Sequence, residues 1–162
     1  WINWIIEQEP DAQIVLHGVS MGAATVMIAS SLDNLPQNVK VIIEDCGYTT
    51  ALEQFKYQLK KLFNMPSFPI LNIANLMVKI KSGYFLNDAS PIEAVKEAKV
   101  PIMFIHGDDD KFVPFYMLDE LYEACSSEKQ KLVIHGASHA HSEDENPEKY
   151  WKEVDAFINK YI

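Results

Sequence analysis

Arginine is absent from this sequence, so all fourteen basic side chains are lysines, and against 23 acidic ones they leave a formal net charge of −9. Recognition of polyanions uses clustered cations and is sharpened by the bidentate guanidinium. Both the missing residue type and the sign of the charge therefore argue against nucleic acid as a partner. Cysteine is also scarce. Cys46 and Cys125 lie far apart, with no C-x-x-C or Cys/His ligand spacing, so neither a disulfide scaffold nor a structural zinc site is signalled and both read as structural thiols. No apolar run approaches the roughly eighteen residues that span a bilayer, and there are no internal repeats or low-complexity tracts. The default compartment is the cytoplasm, and a leader or membrane anchor ahead of Trp1 would lie outside this sequence.

The chain has 162 residues, 48% of them hydrophobic and 23% charged. That suits one domain, or part of one, burying roughly 70% of the surface its unfolded form exposes. Trp1 to Ile6 carry apolar groups at helical spacing, closed by Pro10-Asp11. Ile14 to His17 form a short apolar run, and Ala23 to Ala29 are apolar all round, which predicts strand, tight turn and buried helix. Val39 to Ile43 give a second, β-branched strand. From Tyr48 to Asp88 aromatic and aliphatic residues mix with lysines, and Pro66 and Pro69 divide that stretch into two helical pieces, read as a cap or lid. Ser90-Pro91-Ile92-Glu93 looks like a capping box opening a helix that ends near Lys99. Val100 to His106 and Lys131 to His135 read as strands, with a helix over Pro114 to Cys125 between them. Asn146 and Pro147 start a last helix, with Tyr150, Trp151, Val154, Phe157, Ile158 and Tyr161 on one stripe. The alternation describes an α/β domain with a parallel sheet covered by helices on both faces.

Gly18-Val19-Ser20-Met21-Gly22 sits between the first strand and the buried helix, the context in which a G-x-S-x-G match is informative. For this composition a chance match anywhere in the chain is on the order of 1%. A sharp turn holding Ser20 in a strained conformation brings the positions two before and two after it together, and Gly18 and Gly22 are expected to relieve that crowding. The turn would expose the Ser20 hydroxyl, with the Met21 amide at the helix start facing an oxyanion. A serine nucleophile needs a histidine base oriented by a carboxylate. The stretch His106-Gly107-Asp108-Asp109-Asp110 follows the third strand, and Asp110 is the chosen acid among its three aspartates. His139, a loop's length past the fourth strand, has the reach to Ser20 that His135 lacks.

These motifs resemble the C-terminal part of an α/β-hydrolase-fold serine hydrolase of the esterase, lipase and serine-aminopeptidase-like group. The likeness covers nearly the whole chain. It rests on the elbow at Gly18 to Gly22, the His-Gly-x-x-Asp-x-x-Val-Pro stretch at His106 to Pro114, the Gly-x-Ser-His loop at Gly136 to His139, and the order Ser, Asp, His. The resemblance implies Ser20 as nucleophile, Asp110 as acid, His139 as base, a small-molecule acyl substrate, and neither metal nor organic cofactor. It also implies a partial core over residues 1–47 and 89–162, with a helical cap inserted at 48–88. Such proteins place several strands ahead of the elbow, which here appears at residue 20. The expectation is therefore a fragment or processed product that lacks the N-terminal strands and the second oxyanion donor, with uncovered surfaces that favour self-association.

Competing readings attach to several residues. Asp45 stands at a strand's end, where some members of the resembled fold carry their acid. Asp108 and Asp109 read as turn-capping or solvated groups. His135, His139 and His141 with Glu143 and Asp144 can be drawn as a metal cluster, although their spacing fits no zinc pattern. His17 and His106 read as strand-end hydrogen bonders, and Glu143 to Glu145 as a solvated loop. Phe55, Leu59, Leu62, Phe63, Phe68, Ile73, Leu76, Met77 and Phe85 either line an acyl pocket or, as is commoner at helical spacing, pack a core. Lack of arginine in the cap favours an uncharged acyl group. The alternative to a hydrolase is a catalytically silent module of the same fold that binds a ligand or protein.

Overall fold

Four short apolar runs form one sheet. β1 (Ile14–Val19), β2 (Val39–Asp45), β3 (Ile102–Gly107) and β4 (Lys129–Ile134) pair in that order and all in parallel, in a computed structural model that describes all 162 residues. Parallel neighbours need crossover connections, and helices supply them. α1 (Ile2–Gln8) precedes the sheet. α2 (Met21–Ala29) joins β1 to β2, and α3 (Ala51–Phe63), α4 (Ile70–Ser82) and α5 (Pro91–Val95) lie between β2 and β3. α6 (Tyr116–Ala124) leads to β4, after which come α7 (Ser142–Glu145) and α8 (Pro147–Ile158).

Side chains alternate across the strands, so the sheet has two packed faces. On one, Val41, Ile43, Met103, Ile105, Leu132 and Ile134 meet Tyr150, Val154 and Phe157 of α8. On the other, Ile42, Ile102 and Phe104 meet Ala23 and Met27 of α2, Val95 of α5, and Leu118 and Leu121 of α6. This is the α/β architecture read from the alternation of elements. Asn146 caps α8, its side chain accepting from the Lys149 amide at 3.1 Å.

Local expectations differ from the structure in four places. Only Ala23, Ala24 and Met27 of α2 are buried, because β1 is an edge strand and no further strand covers the outer side of that helix. Ser90 makes no side-chain capping bond, and α5 ends at Val95 rather than near Lys99. Trp151 leaves the apolar stripe of α8: its indole lies partly open and donates to Glu143 Oε1 at 2.9 Å. Residues 143–145 form the short α7 rather than a loop.

The helices over 51–82 pack least. α3 buries only Gln54, and α4 buries nothing. Leu62, Phe63, Phe68, Ile73, Leu76 and Met77 are exposed, so the expected core role is not what these residues do here. Since all four strands are parallel, their C-terminal ends and the loops that follow lie along one edge of the sheet, with Val19 in register with Asp45 and Asp45 with Ile105.

Candidate active site

The turn from β1 into α2 holds Ser20 at φ 54° and ψ −111°, a strained conformation for a residue with a side chain, at a cost on the order of 1–3 kcal/mol. Its amide donates to the Asp45 carbonyl at 2.8 Å, and its carbonyl accepts from the Ala24 amide at 3.1 Å. The turn closes so tightly that a Cβ on Gly18 would stand 2.3 Å from the Gly22 carbonyl oxygen, whereas one on Gly22 would meet nothing within 4 Å. The expected crowding is one-sided: Gly18 is required, and Gly22 is not. Met21 opens α2, so its amide has no acceptor within the helix, and its side chain is 72% exposed.

Asp110 follows β3 and is fully enclosed, although its oxygens are well supplied with donors. Oδ1 accepts from the amides of Phe112 at 2.7 Å and Val113 at 2.9 Å. Oδ2 lies 2.7 Å from His139 Nδ1 and 3.3 Å from His106 Nε2. Burial alone would raise this carboxyl, but the hydrogen bonds from His106, His139 and the Val113 amide outweigh it and hold the group well below the usual carboxylate range. A carboxylate only accepts, so Nδ1 of His139 carries the proton and Nε2 presents its lone pair. Nε2 is 2.8 Å from Ser20 Oγ. The Phe112 ring packs on the imidazole, centroids 4.7 Å apart. Ser20, His139 and Asp110 thus stand in one hydrogen-bonded line, assembled from three loops at the same sheet edge.

The other candidate residues are held elsewhere. Asp45 makes no hydrogen bond to His139. It accepts from Ser142 Oγ at 2.8 Å, and burial, opposed by hydrogen bonds from Ser142 and Tyr150, pushes its carboxyl from the usual 3.8 up to about 6. Asp108 ties two loops together, its oxygens accepting from His135 Nδ1 at 2.6 Å and the Gly136 amide at 2.7 Å. Asp109 pairs with Lys111. His135, His139 and His141 do not converge: each faces its own aspartate, Asp108, Asp110 and Asp144. His17 bonds the Tyr150 hydroxyl at 2.9 Å; His106 stays at the site, its Nε2 shared between the Val113 carbonyl at 3.1 Å and Asp110 Oδ2 at 3.3 Å. Cys46, Asp110 and His139 offer one ligand atom each within 4.8 Å, but Asp110 and His139 already bond one another and burial raises the Cys46 thiol.

Several site residues were not singled out from sequence. Cys46 (φ 50°) and Ala140 (φ 60°) share the left-handed backbone of Ser20, and no side-chain pattern marks such positions. A Cβ on Gly107 would lie 2.1 Å from the Ala137 carbonyl oxygen, so that glycine lets the histidine loop press against the end of β3. Glu44 is fully buried behind the elbow, its Oε2 accepting from the Gly47 amide at 3.0 Å, and burial with Asp45 nearby holds it well above the carboxylate range. Gln54 of α3 is buried and donates to the Phe112 carbonyl at 2.8 Å. Gln58 donates to the same oxygen, and Lys61 to the Lys111 carbonyl. A cavity of ≈ 220 Å³ opens on Ser20 between Tyr48, Ala51, Gln54, Phe55 and Phe112.

The Pyrococcus furiosus esterase has the same architecture, with a TM-score of 0.69 at 18% identity, covering 99% of this chain and 58% of that one. The chain thus has the α/β-hydrolase fold. In sequence the chain is 31% identical over 146 residues to the uncharacterized protein YqkD of Bacillus subtilis (strain 168), covering 90% of this chain and 48% of that protein. It is 26% identical over 156 residues to the alpha/beta hydrolase domain-containing protein WAV2 of Arabidopsis thaliana, covering 93% and 48%. The chain thus spans about half the length of these curated relatives. The family described as serine hydrolase (FSH1) matches residues 3–141, and the chain belongs to that family.

Two predictions follow from the local geometry. Gly18→Ala should abolish soluble folded protein or cost at least about 3 kcal/mol, since its Cβ meets backbone. Gly22→Ala should be neutral or stabilise by up to about 1 kcal/mol, as alanine favours helix. Urea unfolding of both variants checks the asymmetry, and equal effects would refute it. Asp45 supplies the second. Its raised carboxyl means that the cost of a buried charge is full above pH 6 and fades as pH falls towards 4. Asp110 runs oppositely, its contribution being lost only as pH drops below the usual carboxylate value. Asp45→Asn should therefore raise the unfolding free energy at pH 7.5 by about 1–3 kcal/mol, with the gain vanishing near pH 4. A difference from wild type that does not vary with pH would contradict it.

Proposed function

We propose that the protein is a serine hydrolase that cleaves a carboxylic ester or related acyl bond through an acyl-enzyme. The observation that carries this reading is the continuous line from Ser20 Oγ to His139 Nε2 at 2.8 Å and from His139 Nδ1 to Asp110 Oδ2 at 2.7 Å. Ser20 Oγ attacks the carbonyl carbon while its proton passes to Nε2. The tetrahedral oxyanion faces the Met21 amide, whose helix N-terminus favours negative charge. His139 then gives the proton to the leaving group, and water, activated by the same nitrogen, hydrolyses the acyl-enzyme. Asp110 stays ionised throughout, holding the tautomer and stabilising the imidazolium.

Residues 48–88 act as a cap over the acyl cavity. The lining of Tyr48, Ala51, Phe55 and Phe112, with no arginine in the chain, suits an uncharged acyl group. The cap also steadies the relay. Gln54 holds the Phe112 carbonyl, while the amides at 112 and 113 hold Asp110 and the Phe112 ring supports His139.

The test is labelling of the full-length protein with a fluorophosphonate, with the modified residue mapped, alongside hydrolysis of short p-nitrophenyl esters. Ser20 should carry the label, and Ser20→Ala should lose both label and turnover. Label elsewhere, or equal turnover in the variant, would refute the reading, and a folded protein that takes no label would support a silent binding module. Gln54→Met tests the support from the cap. Methionine of similar shape loses the Gln54 bond to the Phe112 carbonyl but also removes the unpartnered Oε1, and Gln58 still donates to that carbonyl, so thermal stability should change little. If Gln54 positions the relay, kcat should nonetheless fall by up to about tenfold, apart from any change in KM that comes from its place in the cavity wall. Wild-type kcat, or a fall that tracks lost stability, would rule out that role.

A further inference from the structure

A surface helix of a globular protein turns its apolar stripe inward, and α4 carries a second apolar stripe on its outer side. Its partly buried positions, Ile70, Leu71, Ala74, Asn75 and Val78, lie on one side, and Ile73, Leu76, Met77 and Ile80, spaced as i, i+3, i+4 and i+7, point into solvent, Ile80 with 77% of its surface open. Leu62 and Phe63 at the end of α3 and Phe68 in the connection are exposed as well. At about 100° per residue, Lys79 and Lys81 fall on opposite flanks of the α4 stripe, and both are exposed.

Charge is segregated in the same way. Residues 48–88 hold five lysines, Lys56, Lys60, Lys61, Lys79 and Lys81, against two acids, Glu53 and Asp88, in a chain whose net charge is −9. The remainder is therefore more acidic than the whole. Lysines at helix C-termini suit the helix dipole, but the dipole gives no reason for an outward apolar stripe between them. The exposed apolar surface at Trp1 and Trp4 makes a contrast, since Glu7, Glu9 and Asp11 follow it directly. An anionic bilayer would attract the first surface and repel the second.

We infer that the α3–α4 hairpin is a peripheral membrane-docking surface: Ile73, Leu76, Met77 and Ile80 enter the headgroup–acyl boundary of an anionic bilayer, and Lys79 and Lys81 reach its phosphates. Apolar burial and lysine attraction add in such interfacial helices, and the long lysine stems let the ammonium groups stay at headgroup level while the helix lies flat. A second copy of the chain fits less well, since hairpin against hairpin would bring cationic surfaces together. The inference does not depend on the chemistry proposed for Ser20.

The test is co-sedimentation of the whole protein with vesicles of phosphatidylcholine alone or with about one third phosphatidylglycerol, at low and high salt, with light scattering for oligomeric state. Binding should require the anionic lipid and weaken with salt. Leu76→Gln/Met77→Gln and Lys79→Gln/Lys81→Gln should each reduce it roughly tenfold or more. All four positions are exposed, and only Lys79 makes a side-chain hydrogen bond, donating to the Gly83 carbonyl at 2.7 Å, so thermal midpoints should stay close to wild type, and Lys81→Gln alone separates lost attraction from lost support of the helix end. Absence of binding to anionic vesicles at low salt, or undiminished binding in the variants, would overturn the inference. So would a wild-type dimer that Leu76→Gln/Met77→Gln converts to monomer, because a second copy would then cover the stripe.

Discussion

A carboxylate sealed from water is tolerated only when protein donors replace its hydration, and the site is built around one such group. The side chain of Asp110 has no exposed surface. The amides of Phe112 and Val113 fold the loop after β3 around one oxygen, and His139 and His106 approach the other. The loop after β4 must bring its imidazole to that oxygen, and Gly107 allows the approach by leaving room for the Ala137 carbonyl. Once Nδ1 is bound, Nε2 has one direction left, towards Ser20. Position, tautomer and ionisation of the relay thus follow from satisfying one buried charge.

Strain is stored around the same centre. Ser20, Cys46 and Ala140 all have positive φ, and they belong to the loops that follow β1, β2 and β4. Backbone of this kind persists only where its surroundings over-determine it. The surroundings here are bonds between strand ends: the Ser20 amide to the Asp45 carbonyl and the Cys46 amide to the Ile105 carbonyl. The two-faced core beneath is regular and apolar, and it holds the sheet edge rigid against the local cost.

Much of the fold was legible because its causes are local. β-branched runs such as Val39 to Ile43 alternate with helical spacing, and Pro147 after Asn146 marks a helix start whatever lies around it. The elbow was legible because a sharp turn needs small residues at set positions. The same logic overreached at Gly22, where the closing backbone leaves space on one side only, and at Ser90, whose side chain forms no cap. It also overreached in the segment 48–88, where apolar residues at helical spacing suggested a core. Which face of a helix turns inward depends on what the helix is laid against, and for α4 that is little more than α3 and the turn at Leu86–Asp88.

By itself the sequence determined the order of strands and helices, the α/β class and the candidate serine, histidine and aspartates of the site, because hydrophobic periodicity, turn chemistry and charge are properties of neighbouring residues. Only the tertiary structure decided that Asp110, the acid chosen from sequence, meets His139 while its rival Asp45 does not, that Gln54 and Phe112 brace that contact, and that α4 leaves a second apolar stripe open. Those outcomes depend on distances between residues far apart in the chain. Such distances exist only after the parallel strands have paired and set their loops along one edge.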